Sequence, residues 1–318
     1  MRNFKQIDIT KVKTISIKSR KSKVTPDAFA KVYEPGKNSL QSFLGSFPNI
    51  LAAKDLNLFV DIILQARKKN KPVIVLMGAH VIKVGLSPLI IDLIKNNIIT
   101  AIGMNSAAAI HDVETAMFGK TSEDVAENIL DGYFGMARET GELINVTLLQ
   151  SSVQTDIGYG EAIGMELIKR KAPNLQYSIL ASGINLNVPV TVHAAIGTDI
   201  IHQQPTMDGA ATGEMSFRDF KVLCNAVKDL VGGGVVINIG SAVIMPEVFL
   251  KALTVTRNLG YKTAKFATAN FDMLPQYRPF MNIVTRPTQA GGKGFNFIGH
   301  HEIMIPLLYA MINERNKK

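Results

Sequence analysis

The 318-residue chain contains no tryptophan, one cysteine and no apolar run long enough to cross a bilayer, and each shortage removes a class of protein. A lone thiol, Cys224, cannot form an internal disulfide, which excludes a small disulfide-stapled scaffold. The longest apolar stretch, residues 84–104, is interrupted by Asp92 and Lys95, short of the roughly 20 apolar residues that a spanning helix needs. The amino-terminal residues carry lysines without the apolar core of a signal peptide, so a cytoplasmic setting is expected. Neither HExxH nor Cys/His pairs at zinc spacing occur, and the six histidines predict no metal centre. Helix-turn-helix, zinc-finger and aromatic RNA-binding signatures are also missing.

What is present is unevenly distributed. Of the net charge of +9, residues 1–23 supply +7, from eight Lys/Arg against Asp8, which leaves about +2 for the rest. Residues 1–24 therefore read as a basic arm, solvated or in contact with another subunit, and 25–318 as a single domain. A basic arm meets phosphates without specificity, and nothing downstream adds a nucleic-acid signal. Apolar residues make up 47% of the chain, enough for a large core.

Five apolar runs end in small, polar or glycine-rich residues and then turn helical: PVIVLMGAH, IITAIGMNSA, VPVTVHAAIGTD, GGVVINIGSAV and AKFATANFD. The pattern predicts an α/β fold, a doubly wound parallel sheet flanked by helices, with ligands beyond the carboxyl ends of the strands. Strands are expected at 73–77, 98–103, 143–148, 188–193, 234–239 and 265–268. Helices are expected at 57–69, 86–95, 107–118, 123–140, 161–170, 216–230, 246–259 and 301–313. Residues 155–160, 202–215 and 271–294 read as irregular, and long irregular segments are often functional.

Several tails carry residues suited to chemistry. Gly78 and Gly85 allow close approach of a ligand before a helix start, although a glycine in such a turn serves the turn equally well. Ser106 reads as a helix cap with His111 and Asp112 one turn inside; a His beside an Asp can move a proton or bind a ribose, or both can be satisfied by the helix. Asp199 follows a strand end, and Gly240-Ser241-Ala242 is the most phosphate-like turn. Lys293 lies among Gly291, Gly292, Gly294 and Gly299 beside Phe295 and Phe297, a setting for an amine nucleophile or for an ordinary solvated lysine.

The order of these segments, from about residue 73 to 313, resembles the deoxyhypusine synthase family. The resemblance implies a Rossmann-like sheet, NAD as cofactor, a homotetramer with sites between subunits, and a lysine that moves the aminobutyl group of spermidine. GAHVIKVG is similar to the first nucleotide-contacting strand end and implicates Gly78, Ala79, His80 and Lys83. SAAAIHD resembles Thr-Ala-Gly-Gly-Val-Glu-Glu, placing Ser106, Ala107, Ala108 and Asp112 near the cofactor. AAIGTD resembles Ala-Leu-Thr-Asp and gives Asp199, IGSAV gives Gly240 and Ser241, and ATAN gives Thr268 and Ala269. GGKG resembles the Trp-Gly-Lys that carries the catalytic lysine, here Lys293, with His111 or His300 to shuttle protons.

The departures bear on the substrate. The family's amine-binding histidine is replaced near Pro246-Glu247, its tryptophan is Gly292, and Gln204 stands near its second acid. The expectation is an NAD-dependent transferase-type enzyme with a changed amine or amino-acid substrate, received by carboxylates such as Glu247 and Asp208. The alternatives are a nucleotide-binding scaffold that has lost the reaction and an amino-acid-deaminating relative.

Overall fold

The computed structural model describes residues 5–20, 24–33, 36 and 39–316. The chain divides into two compact units, Met1–Lys54 and Asp55–Lys318. In the first, residues 5–20 are exposed and form no helix or strand. A short turn of helix at Pro26–Ala28 precedes α1 (Ser39–Gly45), and Phe43 stacks edge-on against Tyr33 and Phe47.

The larger unit is an α/β domain built on six parallel strands: β1 (Val73–Met77), β2 (Ala101–Asn105), β3 (Val190–His193), β4 (Val235–Ile239), β5 (Ala267–Asp272) and β6 (Lys293–Ile298). Their order is β3-β2-β1-β4-β5-β6. The chain winds outward from β1 to β3 on one side, then returns to the centre and winds from β4 to β6 on the other. The carboxyl ends of β1 and β4 therefore flank the switch point, where connections leave in opposite directions and where sheets of this kind receive ligands.

Helices cover both faces, as continuous strand burial requires. They are α2 (Leu51–Lys68), α3 (His80–Lys83), α4 (Ser87–Lys95), α5 (Ser106–Phe118), α6 (Val125–Asn128), α7 (Arg138–Gln154), α8 (Tyr159–Lys169), α9 (Ile179–Asn185), α10 (Gly209–Lys228), α11 (Ile244–Asn258), α12 (Tyr277–Pro279) and α13 (His301–Asn316). One core layer packs Leu223 and Val227 of α10 and Phe249 and Leu253 of α11 onto Ile74, Leu76 and Val236 of the sheet. Elsewhere Phe59 of α2 meets Phe271, Phe295 and Phe297 of β5 and β6, with ring centroids 5.2–6.2 Å apart.

A row of amides, buried at Asn238 and Asn270 and half-buried at Asn296, crosses half the sheet. Asn238, Asn270 and Asn296 occupy matching positions on β4, β5 and β6. Asn238 Nδ2 donates to Asn270 Oδ1 at 2.8 Å, and Asn270 Nδ2 donates to Asn296 Oδ1 at 2.9 Å. Asn238 Nδ2 also reaches the Ser241 carbonyl at 3.1 Å, tying the row to the turn that follows β4.

The fold differs from the sequence reading in five places. Residues 143–148 are helix, inside α7: Leu143, Ile144, Thr147 and Leu148 are buried while Val146 and Leu149 are exposed, which is helical spacing. The long helix expected at 123–140 is only α6 followed by irregular chain, because Gly132 and Gly135 adopt φ of 73° and 75°. Residues 202–215 are more regular than expected: a 3-10 turn at Ile200–Gln203 leads to α10, which Asp208 caps. The sixth strand is β6, whose short alternation of Phe295 and Phe297 is the pattern of a sheet edge. Within 271–294, α12 runs into a π-helix at Phe280–Thr285 and a 3-10 turn at Pro287–Gln289.

Because Phe59 fills the space between three aromatic rings, Phe59→Ala should cost about 3–5 kcal/mol in urea unfolding, with far-ultraviolet circular dichroism of the folded state retained.

Candidate functional site

The two central strands end in glycines whose backbones touch. Gly78 N donates to the Ile239 carbonyl at 3.0 Å, and Gly240 N donates to the Phe271 carbonyl at 3.0 Å. A Cβ on Gly78 would lie 2.5 Å from the Gly240 carbonyl oxygen. Gly240 has φ +64°, and a Cβ there would lie 2.6 Å from Cε1 of His301. Both positions thus require glycine, one for proximity and one for backbone conformation as well.

His301 closes over this turn. It is the first residue of α13, 1% exposed, and its Nε2 lies 3.2 Å from the Phe271 carbonyl, an arrangement in which Nε2 carries the proton. Its Nδ1 is buried without a hydrogen-bond partner. The His80 ring lies 5.3 Å from it, centroid to centroid. Burial, and the neighbouring His80, push the His301 pKa down, while its bond to Phe271 and the carboxylates of Asp272 and Glu302 act the other way. Asp272, at the end of β5, keeps a second buried unpartnered atom, Oδ2. Orphaned polar atoms beside a glycine cradle mark a place where a polar ligand can be received.

Ser241 turns inward, its Oγ accepting from Met245 N at 3.1 Å, so it serves the start of α11. At β2, Asn105 rather than Ser106 caps α5, accepting from Ala108 N at 3.1 Å. Ser106 instead donates to Asp199 Oδ2. His202 Nδ1 accepts from the amides of Gly197 and Asp199 at 3.1 and 3.2 Å, so its proton sits on Nε2, 3.9 Å from Asp199 Oδ2. Burial pushes the Asp199 carboxyl up, against Ser106 and His202, which pull it down.

A second polar cluster joins α5 to the chain after it. His111 Nδ1 lies 2.5 Å from Thr121 Oγ1, which donates to Glu114 Oε2 at 2.5 Å, and Thr140 Oγ1 donates to Glu114 Oε1 at 3.2 Å. Burial, helped by the charge of Lys83 on α3, lowers the His111 pKa to about 4. Beside the cluster opens a cavity of about 690 Å³ lined by Glu114, Phe118, Thr121, Glu123, Glu139 and Thr140, with Lys120 as its one cation among the lining residues.

The structure gathers some expected site residues and separates others. Gly78, Ala79, His80, Lys83, Ser106, Ala107, Asp199, Gly240 and Ser241 lie at or just beyond the carboxyl ends of β1 to β4. Ala108 is buried in the first turn of α5. Asp112 faces inward: fully buried, it accepts from Ser178 Oγ and the amides of Ile179 and Leu180, anchoring α9, and burial raises its pKa to about 6 against those bonds. Thr268 and Ala269 lie within β5, Thr268 donating to the Ile283 carbonyl at 2.7 Å.

Lys293 is not brought to the crest. It opens β6 and pairs with Ala267, the first residue of β5, at the amino ends of the strands, with Nζ 4.9 Å from the Phe295 ring centroid. His300 is exposed, 3.7 Å from Glu302, and the neighbouring His301 holds the buried position. Glu247 is engaged by Lys251, by Arg278 at 3.3 Å and by Asn282 at 2.9 Å, while Asp208 accepts from Ala211 N at 2.8 Å. These two carboxylates serve the protein's own donors. The sequence reading missed His301, Asp272, Glu114 and Thr121; the second histidine of GHHE was the visible signal for the first of them.

No protein-family model matches the chain, and no curated protein sequence matches it. Among solved structures, a proposed deoxyhypusine synthase from Entamoeba histolytica superposes with TM-score 0.54 at 12% identity, over 86% of this chain and 93% of that one. AgrE in ternary complex with ornithine and NAD+ gives TM-score 0.50 at 13% identity, over 82% of this chain. ArgZ, an arginine dihydrolase from the ornithine-ammonia cycle in cyanobacteria, gives TM-score 0.49 at 14% identity, also over 82% of this chain. The chain spans about a third of the length of AgrE and ArgZ, 33% and 31%. The likeness to the deoxyhypusine synthase family is thus remote and holds at the level of the Rossmann-like α/β fold. Among the described residues, no helix is long and apolar enough to cross a membrane.

His193, at the end of β3, offers a measurable electrostatic signature. Burial pushes its pKa down to about 3, so the native state refuses a proton that the unfolded chain takes up near pH 6.5. Its share of stability is complete above about pH 6.5 and lost as the pH falls toward the folded value, by about 1.4 kcal/mol per pH unit. Urea unfolding of His193→Asn between about pH 6.5 and 4 should show a shallower acid loss than the parent, by about that slope.

Proposed function

We propose that the chain is an NAD-dependent enzyme acting on a small amine or amino acid, with the dinucleotide across the switch point between β1 and β4. The observation that carries this reading is the contact of Gly78 with Gly240, roofed by His301 and His80. It removes side-chain bulk where a dinucleotide crosses a doubly wound sheet. The amide groups opening α5 and α11 face the same crest and favour the negative charge of a pyrophosphate. The unpartnered Asp272 Oδ2 and His301 Nδ1 supply an acceptor each for hydroxyl or amide groups of the cofactor. NAD, when bound, supplies a hydride acceptor.

The substrate class follows from charge. Glu114, Glu123 and Glu139 line the large cavity against Lys120, and this excess of negative charge suits a cationic amine, while the same carboxylates also hold Thr121 and Thr140, Gly135 and Asn128, and Arg138. His111 stands behind the cavity wall rather than in its lining: its Nδ1 bonds Thr121 of that wall, and Lys83, at the end of α3, is close enough to shift its pKa. A neutral imidazole there can relay the proton of a substrate ammonium to solvent, the step that frees the nitrogen lone pair before hydride leaves the adjacent carbon. The complex of AgrE with ornithine and NAD+ supports an amino acid as the substrate type.

The placement of Lys293 at the amino end of β6 argues against a lysine-bound intermediate and favours release of the imine to water or capture by a second amine. A changed outcome from that of an aminobutyl-transferring enzyme follows. Isothermal calorimetry with NAD and NADH tests the reading: binding by the parent protein and by Lys293→Ala, and loss in Gly240→Ala, are expected. Absence of heat with either nucleotide in the parent would overturn it. Lys293→Ala should also keep amine-dependent NADH absorbance within about twofold of the parent, since a solvent-exposed substitution away from the site is near neutral.

A further inference from the structure

The polar cluster on α5 fixes a proton position. A carboxylate only accepts hydrogen bonds, so the one hydroxyl hydrogen of Thr121 is committed to Glu114 Oε2, 2.5 Å away. Thr121 Oγ1 can then meet His111 Nδ1 only as an acceptor, and that ring nitrogen must carry the hydrogen. Thr140 holds the other oxygen of Glu114 at 3.2 Å, which keeps the carboxylate from rotating away. In water, the neutral histidine side chain favours the opposite tautomer, with hydrogen on Nε2.

We propose that Thr121 and Glu114 are positioning residues that hold His111 as its Nδ1–H tautomer, leaving Nε2 as the proton acceptor for the amine chemistry assigned above; the acceptor's role rests on that functional reading, the tautomer on the geometry alone. The charged groups facing the ring are Lys83 from α3 and Glu114 from the same helix, 3.7 Å from Nδ1. When Nε2 takes one proton from a substrate ammonium, the amine becomes neutral and the imidazole cationic. The new charge is met by Glu114 through the Thr121 hydroxyl, without any proton leaving Nδ1. The arrangement does for a histidine on a helix what a buried aspartate does for the histidine of a hydrolase triad, with a hydroxyl interposed. Burial and Lys83 lower the ring's pKa to about 4, so a proton it takes is held only in passing and goes on to solvent.

The test is the nitrogen-15 spectrum of histidine-labelled full-length protein near neutral pH, recorded without nucleotide or amine, with His111 assigned by its loss in His111→Gln. The expected pattern is a protonated Nδ1 and an unprotonated Nε2. Thr121→Val removes the acceptor, and Glu114→Leu frees the Thr121 hydroxyl to donate to Nδ1; both should reverse the assignment, while Thr121→Ser should restore it. In the two reversing variants kcat for amine-dependent NADH formation should fall about a hundredfold, with NAD affinity within about twofold of the parent. A parent with hydrogen on Nε2, or a folded Thr121→Val that keeps it on Nδ1, would overturn the proposal. Should a reversing variant fail to fold, the parent spectrum and that of Thr121→Ser decide the matter. A parent that binds no dinucleotide yet shows the expected tautomer would defeat the functional reading while leaving the proton position intact.

Discussion

The closeness of two backbones, at Gly78 and Gly240, is the constraint on which the rest of the larger unit depends. β1 and β4 are hydrogen-bonded along their whole length, Val73 opposite Val235 through Met77 opposite Ile239, and their ends must leave the sheet in different directions. Any side chain at either turn would wedge the two ends apart or strike the ring of His301. The glycines let the turns nest, and α13 lays its first residue over them. The sheet therefore ends in a shallow polar crest instead of a closed layer of side chains, and the surrounding helices present their positive ends to it.

Polar groups behind this crest are sorted by how their hydrogen bonds close. Asp112, Ser241, Asn105 and Asp208 spend their acceptors on helix starts, and these bonds hold the elements in place. Asp272, His301 and His202 keep one atom each buried without a partner. The distinction matters because an unmet buried donor or acceptor costs about 1–3 kcal/mol, which a structure retains only where something later supplies the missing bond or where the geometry leaves no remedy. Asn145, Tyr159 and Asn238 keep such atoms within the scaffold as well, so the candidate site is marked by Asp272 and His301 standing beside the glycine turns, not by unmet atoms alone.

Much of the fold was legible because buried parallel strands read as apolar runs ending in small residues, and the runs at β1, β3 and β4 match the strands to within two residues. Where the reading failed, the physical reason is local. LINVTLL is rich in β-branched residues, but its burial follows helical spacing, and only contacts with α8 and α10 reveal that. Strand β6 is short and alternates, a weak signal beside the glycines that precede it. Of the candidate site, the sequence pointed to Gly78, His80, Ser106, Asp199 and Gly240, which the structure places at or beyond strand ends. His301, Asp272, Thr121 and Glu114 were not, since their significance arises from partners distant in sequence or from bonds between helix and loop. Lys293 shows the converse: glycines around a lysine suggested an active amine, whereas Gly292 and Gly294 are there because the Phe266 and Val284 carbonyls pass within 2.3 and 2.1 Å of where their Cβ atoms would be.

The row of amides from Asn238 to Asn296 has one more effect. Side chains bonded across three adjacent strands act as alignment pins, since sliding β6 by one residue would turn Asn296 to the other face and leave Asn270 Nδ2 without its acceptor. The depth at which β6 enters the sheet is thereby independent of the chain that delivers it. Asn282, Ile283 and Val284 pack beneath the same strands, so changes in length fall on the exposed turns around them, and His301 still arrives over the same glycine.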